Sequence, residues 1–449
     1  MARTTKQDKV RELQRTLYRA AKACPGRRFH ALYDKVHRRD VLERAWELVR
    51  ANHGAAGIDR QTIQDVERYG ISRLLDELAA DLKDGRWRPL PARRVFIPKP
   101  GREERRPLSI PTVRDRVVQA ATKIVIEPIF EADFLTCAFG FRPKRSQHDA
   151  LQVLIDESWR GRRWAVESDV ANCFEAIPHS GLMSAVEERI SDRHVLKLLR
   201  AMLRAGVMQD GAIRREVAGT PQGGVISPVL CNVYLHRLDR CWAERGCGEL
   251  VRYADDLVVL CRTRREAEAA LAALRSVLAE LGLELKQAKT RIVHLREGGE
   301  GLDFLGFHHR HVRMTGPRRR HIHFLARWPS REAMGRARER IREITDRKRL
   351  RLPVEWIVQD LNRFLRGWGG YFRYGHSAHH FDQISDYAVH RLALFVSKRH
   401  KRARGYGLLV VAAWSPNRLG LTSLHGTVVS PRANKPWRAK PNAAGERRR

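Results

Sequence analysis

Acidic residues are scarce in this chain of 449 residues: 51 Asp and Glu stand against 86 Lys and Arg, for a formal net charge of +35. That imbalance exceeds what solubility requires and predicts a polyanionic partner. No run of 18 apolar residues occurs, so no membrane-spanning helix and no membrane partner are expected. The opening MARTTKQDKVRELQRT lacks the apolar stretch of a secretory signal, and Asp8 and Glu12 fit a basic transit peptide poorly. Cysteines are few, seven at positions 24, 137, 173, 231, 241, 247 and 261, and none is spaced C-x-x-C. A zinc ribbon or a disulfide framework is therefore not expected, and the reducing cytoplasm is the expected compartment. What is present, 43 % hydrophobic residues, suits a folded chain of roughly three domains.

The positive charge is uneven. Residues 301–449 hold 32 Lys/Arg and 10 Asp/Glu, whereas residues 1–300 hold 54 and 41. The last third is thus the expected grip on nucleic acid, and the front is acidic enough to hold catalytic carboxylates. The end, PRANKPWRAKPNAAGERRR, has the composition of a tail ordered only on RNA.

Apolar spacing predicts helices over residues 6–23, 37–52 and 71–82, from Arg114 to Phe130 with a break at Pro128, and from Ser180 to Ala205. Further helices are expected over Arg264 to Leu281 and at about 330–350, 354–368 and 380–400. ARRVFIPKPG and the segment Trp164 to Val170 read as strands, and Leu250 to Cys261 as a β-hairpin. Strands and helices mix through residues 90–310, which predicts an α+β body; the block after it reads as all-helical.

The sharpest local feature is LVRYADDLVVLC, residues 250–261, in which apolar strand formers flank Asp255 and Asp256. Buried strands rarely tolerate adjacent acids. At a hairpin tip both can project to one point, where divalent cations would offset their repulsion. A turn that uses Asp only for its geometry is the competing account. Asp169 ends a second apolar strand in WAVESDVANCFEAI, and with Asp255 it would form a hard-oxygen Mg²⁺ site. Two metals so held can perform phosphoryl transfer. The loop AGTPQGGVISP brackets Gln222 with Gly219, Gly223 and Gly224, which lets backbone approach a base pair or a phosphate. In RVFIPKPGREERRPLSIP, Lys99 and Arg106 could contact a triphosphate, and a plain basic hairpin is the alternative. His308, His309, His311, His321 and His323 cluster by count; RNA contact or solvated surface is expected rather than a metal.

Taken in order, these segments resemble the group II intron-encoded reverse transcriptase/maturase family. The blocks are AAGIDR, IPKPGREERRPLSIPTVRDRVVQ, CAFGFRPKRSQHDAL, VESDVANCFEAIPH, GTPQGGVISPVLCNVYLHRLD, RYADD, LKQAKT, FLGF and LNRFLRGWGGYFRYG, spread over about residues 40–400. The resemblance implies a right-hand polymerase, fingers and palm, followed by an all-helical thumb. The domains it implies are a basic helical extension at 1–52, fingers and palm at 53–310, thumb at 311–402 and a basic segment at 403–449 that binds DNA or RNA.

By the same resemblance, Asp169, Asp255 and Asp256 are the catalytic carboxylates. Asp169 and Asp255 are the direct ligands of two Mg²⁺ ions, with Mn²⁺ a possible substitute; the Val170 carbonyl and Asp256 support them. Lys99 and Arg106 bind the phosphates of an incoming dNTP, Gln222 packs by the nascent base pair, and Phe174 excludes a ribose 2′-hydroxyl. Arg142, Arg145 and Tyr253 are expected at template and primer, and Arg363, Arg366, Trp368 and Arg373 on RNA in the thumb. The implied partners are group II intron RNA, a DNA target or primer, and dNTPs. Many family members end in a Cys-rich endonuclease domain. No Cys follows Cys261, so none is expected here, a layout like that of members encoded by bacterial class C introns. The alternatives are a non-enzymatic splicing maturase, or a related reverse transcriptase serving phage defence, CRISPR adaptation or DNA repair.

Overall fold

The computed structural model describes residues 6–98, 105–209, 212–214, 218–219, 223–315, 321–413 and 419–429. The chain forms two compact units. One comprises Met1–Ala150, Val166–Cys261 and Arg265–Arg291; the other comprises Leu151–Ala165, Arg262–Arg264 and Ile292–Arg449. Both mix helix and strand, as the α+β expectation has it.

The strands are β1 (Ala92–Pro98), β2 (Arg105–Ile110), β3 (Trp164–Asp169), β4 (Val207–Gln209), β5 (Ala212–Arg214), β6 (Glu249–Tyr253), β7 (Asp256–Cys261), β8 (Arg291–His294), β9 (Leu302–Phe304), β10 (Phe307–Thr315) and β11 (His321–Pro329). They form three sheets, ordered β2-β1-β4-β5, β6-β7-β3-β8 and β11-β10-β9.

In the first unit two helices, Val113–Glu131 and Ser227–Arg245, are buried on most of their surface. That is why neither sequence shows a narrow apolar stripe. The expected break at Pro128 does not occur, because the helix runs on to Glu131. Proline removes the hydrogen bond to the carbonyl four residues back. Here that carbonyl, on Ile124, accepts instead from Gln14 Nε2 at 3.2 Å, a residue of the helix Lys6–Ala23.

The single helix expected over Ser180 to Ala205 is two, His179–Glu187 and Arg193–Arg204. Asp192 divides them by capping the second, accepting from His194 N at 3.0 Å and Val195 N at 3.2 Å. It also accepts from Leu32 N and Tyr33 N, both at 2.8 Å. Burial pushes its pKa up, but these four N–H donors outweigh burial and hold it below the usual carboxylate range.

In the second unit β10 and β11 pair over nine residues, from Phe307 opposite Pro329 to Thr315 opposite His321. The all-helical block expected from 311 therefore begins only at Arg331, after the hairpin. Its helices are Arg331–Ile344, Val354–Phe372 and Ala378–Arg399. Ile357, Val358, Leu361 and Leu365 fall on one stripe and are buried, as helical spacing requires.

The histidines on this hairpin are not uniformly solvated. His309 is fully buried, and His311 is buried with its ring bonded to the Ser158 hydroxyl at 2.8 Å. Among the described residues no group of three His, Cys, Asp or Glu is arranged to hold a metal. No helix among them is long and apolar enough to cross a membrane.

Candidate active site

The β6–β7 hairpin pairs Tyr253 with Asp256, which leaves Ala254 and Asp255 as a two-residue turn. Such turns need a positive φ, and Ala254 supplies it at 58°. Alanine adopts that conformation at a cost, so the surroundings must enforce it. Arg252, fully buried, does so. Its Nη1 donates to the Ala254 carbonyl at 3.1 Å and to Asn232 Oδ1 at 2.9 Å. Its Nε and Nη2 grip Asp239, also fully buried, at 2.7 and 2.5 Å. Asn232 and Asp239 both lie on the helix Ser227–Arg245.

Val170 N donates to the Asp255 carbonyl at 3.0 Å, which ties the end of β3 to this turn. Lys286 N donates to the Asp169 carbonyl at 2.8 Å from the other side. Asp169, Asp255 and Asp256 are thereby brought together at one end of the sheet.

Their electrostatics are those of crowded acids. Burial raises the pKa of Asp255, and the charge of Asp169 adds to it, while Lys289 and Arg106 oppose the rise. Burial also lifts Asp256 well above the usual carboxylate range, followed by the repulsion of Asp169. Lys289 ion-pairs with Asp169 Oδ2. Burial would lower the Lys289 pKa, but its bond to Asp169 and the field of all three acids raise it overall.

Three crowded carboxylates offering hard oxygens, with one already drawing a lysine ammonium, are a donor set suited to divalent cations. They are not closed into a three-ligand cage in this structure.

Around them lies a loop framework. Arg106 sits on β2 opposite Ile97 and is exposed, with its field reaching Asp255. Lys99 and Gln222 lie outside the described residues. A Cβ on Gly223, at φ 108°, would meet the Ser109 carbonyl and the Leu108 side chain. A Cβ on Gly219, at φ 97°, would meet the backbone of Glu175 and Phe174. Glycine is required at both positions, where the loop touches β2 on one side and the Phe174 turn on the other. Phe174 is half-buried and meets the Phe141 ring edge-on, with centroids 6.5 Å apart.

Other expected contacts fall differently. Arg142 is turned inward and not toward a template. It is buried, and it donates to Glu131 through Nε and Nη2, to the Leu135 and Ala138 carbonyls at 2.6 and 2.8 Å, and to the Phe134 carbonyl at 3.3 Å. All five guanidinium N–H groups are thus committed to the protein's own frame. Arg145 is half-buried, with its guanidinium 5.3 Å from the Phe139 ring centroid. Tyr253 is half-buried at the hairpin tip, and burial raises its pKa.

In the second unit Arg363 and Arg366 face solvent. Trp368 is half-buried, and its ring packs on Phe372 at 4.8 Å and Phe381 at 5.4 Å. Arg373 is half-buried over the Tyr374 ring at 5.8 Å. Sequence reasoning assigned no role to Lys289, although LKQAKT was among the ordered blocks. It also missed Arg252 and Asp239, for which strand and helix spacing carries no signal of pairing.

Comparison with known proteins agrees with this geometry. Residues 97–309 match the family described as reverse transcriptase (RNA-dependent DNA polymerase), and residues 334–410 match the group II intron, maturase-specific domain. Protein YkfC of Escherichia coli is 35 % identical over 347 residues, covering 68 % of this chain and 88 % of that protein. The chain belongs to the group II intron-encoded reverse transcriptase/maturase family.

Its enzymatic class is accordingly that of an RNA-directed DNA polymerase. Within the family, the group II intron-encoded protein LtrA of Lactococcus lactis is 37 % identical over 214 residues, 47 % of this chain and 35 % of LtrA. An uncharacterized 91 kDa protein in the cob intron of Schizosaccharomyces pombe is 35 % identical over 204 residues, 45 % of this chain and 24 % of that protein. The chain thus spans most of YkfC, but about a third of LtrA and a quarter of the yeast protein.

Proposed function

We propose that the protein is the RNA-directed DNA polymerase of a group II intron: it binds the folded intron RNA, assists its splicing, and copies it into DNA from a DNA 3′ end. The observation that carries this reading is the bond from Val170 N to the Asp255 carbonyl. It unites Asp169, Asp255 and Asp256 in a chain that also matches the maturase-specific domain. In right-hand terms the sheet β6-β7-β3-β8 is the palm, the β1–β2 hairpin belongs to the fingers, and the helices from Arg331 onward form the thumb.

Two Mg²⁺ ions, held by Asp169 and Asp255 with Asp256 and the Val170 carbonyl in support, would supply activation of the primer hydroxyl and neutralisation of the leaving pyrophosphate. Mn²⁺ would substitute. The chain's own residues do the positioning. Lys99 and Arg106 hold the triphosphate, the second as a planar fork. Gln222 lies against the new base pair, and Phe174 lies under the sugar, where its ring leaves no room for a 2′-hydroxyl. Arg145 and Tyr253 serve template and primer. Arg363, Arg366 and Arg373 serve the intron's phosphates, and recognition is largely of RNA shape.

The test is a primer-extension assay on an RNA template, paired with a binding assay using the intron RNA and a size-matched structured RNA. Replacing both Asp255 and Asp256 with Ala should abolish extension and leave intron binding intact. Surviving synthesis refutes the carboxylate assignment. Equal affinity for the two RNAs refutes the maturase assignment.

A further inference from the structure

Phe141 is anomalous in three respects. It is a large apolar residue left 50 % exposed. Its backbone takes φ 57°, a left-handed conformation that bulky side chains avoid. It also stands one residue from an arginine whose every donor is used to hold the loop.

Strain of this kind persists only where neighbours over-determine it. Here they do so on both sides. Before Phe141, Phe139 N donates to the Arg252 carbonyl and Arg252 N to the Cys137 carbonyl, both at 2.8 Å. Asn232 Nδ2 donates to the Gly140 carbonyl at 2.8 Å. A Cβ on Gly140 would strike the backbone of Ala254, so the loop lies directly on the turn that bears Asp255. After Phe141, Arg142 is locked to Glu131 and to three backbone carbonyls. The segment is fixed to the catalytic hairpin at Cys137, Phe139 and Gly140, and to the helix end at Arg142. The one large group it holds out is the Phe141 ring.

That ring has a specific neighbour. It meets Phe174 at a centroid distance of 6.5 Å and an interplanar angle of 78°, an edge-to-face pair. Such pairs add to what burial supplies and favour a fixed relative ring orientation. Phe174 lies in a four-residue helix, Cys173–Ala176, that follows a left-handed Asn172.

We propose that Phe141 is a positioning residue for sugar selectivity. It holds the plane of the Phe174 ring, so that the filter against ribonucleotides is a pair of rings referenced to the Asp255 turn. The inference rests on the reading of Phe174 as that filter. It explains why strain and exposure are tolerated at Phe141: a relaxed loop would retract the ring.

The experiment uses the full-length protein in single-nucleotide extension of a DNA primer on an RNA template, with dCTP or CTP as substrate. The readout is the ratio of kcat/KM for the two. Phe141→Gly is the informative variant, because glycine accepts φ 57° and removes only the ring. The ratio should fall by about 3- to 10-fold, the loss expected from one aromatic pair. Phe141→Tyr should restore it. Phe174→Ala should lower it at least as far, and the double variant no further than Phe174→Ala alone.

An unchanged ratio in Phe141→Gly, with a fall in Phe174→Ala, overturns the inference and leaves the Phe174 filter standing. An unchanged ratio in Phe174→Ala overturns both. Additive losses in the double variant overturn the coupling, because Phe141 would then act on the nucleotide by itself.

Discussion

The two units differ in how much of their cationic charge is matched by acids. In the unit that carries Asp169, Asp255 and Asp256, buried arginines meet carboxylates: Arg252 grips Asp239, and Arg142 grips Glu131. In the other unit acids are few, since residues 301–449 hold 10 Asp/Glu for 32 Lys/Arg. There Arg363 projects with its side chain 82 % exposed. His309, fully buried opposite Arg327 on the paired strand, stays neutral, its pKa pushed down to about 3 by burial and then by the Arg327 charge. A buried cation without a counter-charge costs several kcal/mol. A segment with three cations per acid must therefore put most of them in water. Its basic face follows from that stoichiometry before any partner is invoked.

If pairing is what permits burial in the first unit, removing one acid should be severe there. Asp239→Ala leaves Arg252 charged and enclosed, and should destabilise the protein by about 3–5 kcal/mol. Urea denaturation followed by tryptophan fluorescence reads this. A loss below about 1 kcal/mol would mean that Asp239 does not anchor the turn.

In the second unit a neutral His309 stands opposite the buried Arg327, and pH breaks that arrangement. His309 titrates near 6.5 when unfolded and at about 3 when folded, with Arg327, His308 and Asp303 as the charged or titratable groups acting on it. Above pH 6.5 both states are neutral and its contribution is fully present. As pH falls from 6.5 toward 3, the unfolded chain binds a proton that the native one refuses, and stability is lost. Between pH 7.5 and 5.5 the loss from this residue should be about 1.4 kcal/mol. The matched comparison is His309→Leu, whose stability difference between those two pH values should be smaller by that amount. Equal differences would show that His309 takes up its proton while folded.

The same contrast explains what was legible beforehand. The carboxylates were legible because acids at the ends of apolar strands break a strong pattern, and the ordered blocks around them carry family resemblance. Several helix positions were legible from apolar spacing, as at 354–368, where the helix Val354–Phe372 forms. Failures came where a residue's partner decides its role. Arg142 has the composition of a nucleic-acid contact, yet it is buried and spent on Glu131. The helix runs through Pro128 because Gln14, 114 residues earlier, takes the carbonyl that proline leaves open. No local window contains that pairing. Arg252 was read only as part of RYADD, although it sets the turn on which Asp255 stands.

The smallest effect tests whether the exposed arginines do more than satisfy that stoichiometry. Arg363 lies within 3.5 Å of Asp360, but a pair this exposed contributes little to stability. Arg366 is exposed on the same helix. Replacing both with Ala should move the unfolding midpoint by no more than about 0.5 kcal/mol in free-energy terms. If both contact phosphates, each releases counterions, and the slope of log K against log salt should become shallower by about 1.5 for the pair. Trp368→Ala should do the reverse, lowering the unfolding midpoint without changing the slope, because its ring packs on Phe372 and Phe381 and carries no charge. An unchanged slope in the double arginine variant would leave these arginines as solvated charge, and the grip on RNA would have to lie on another face of the unit.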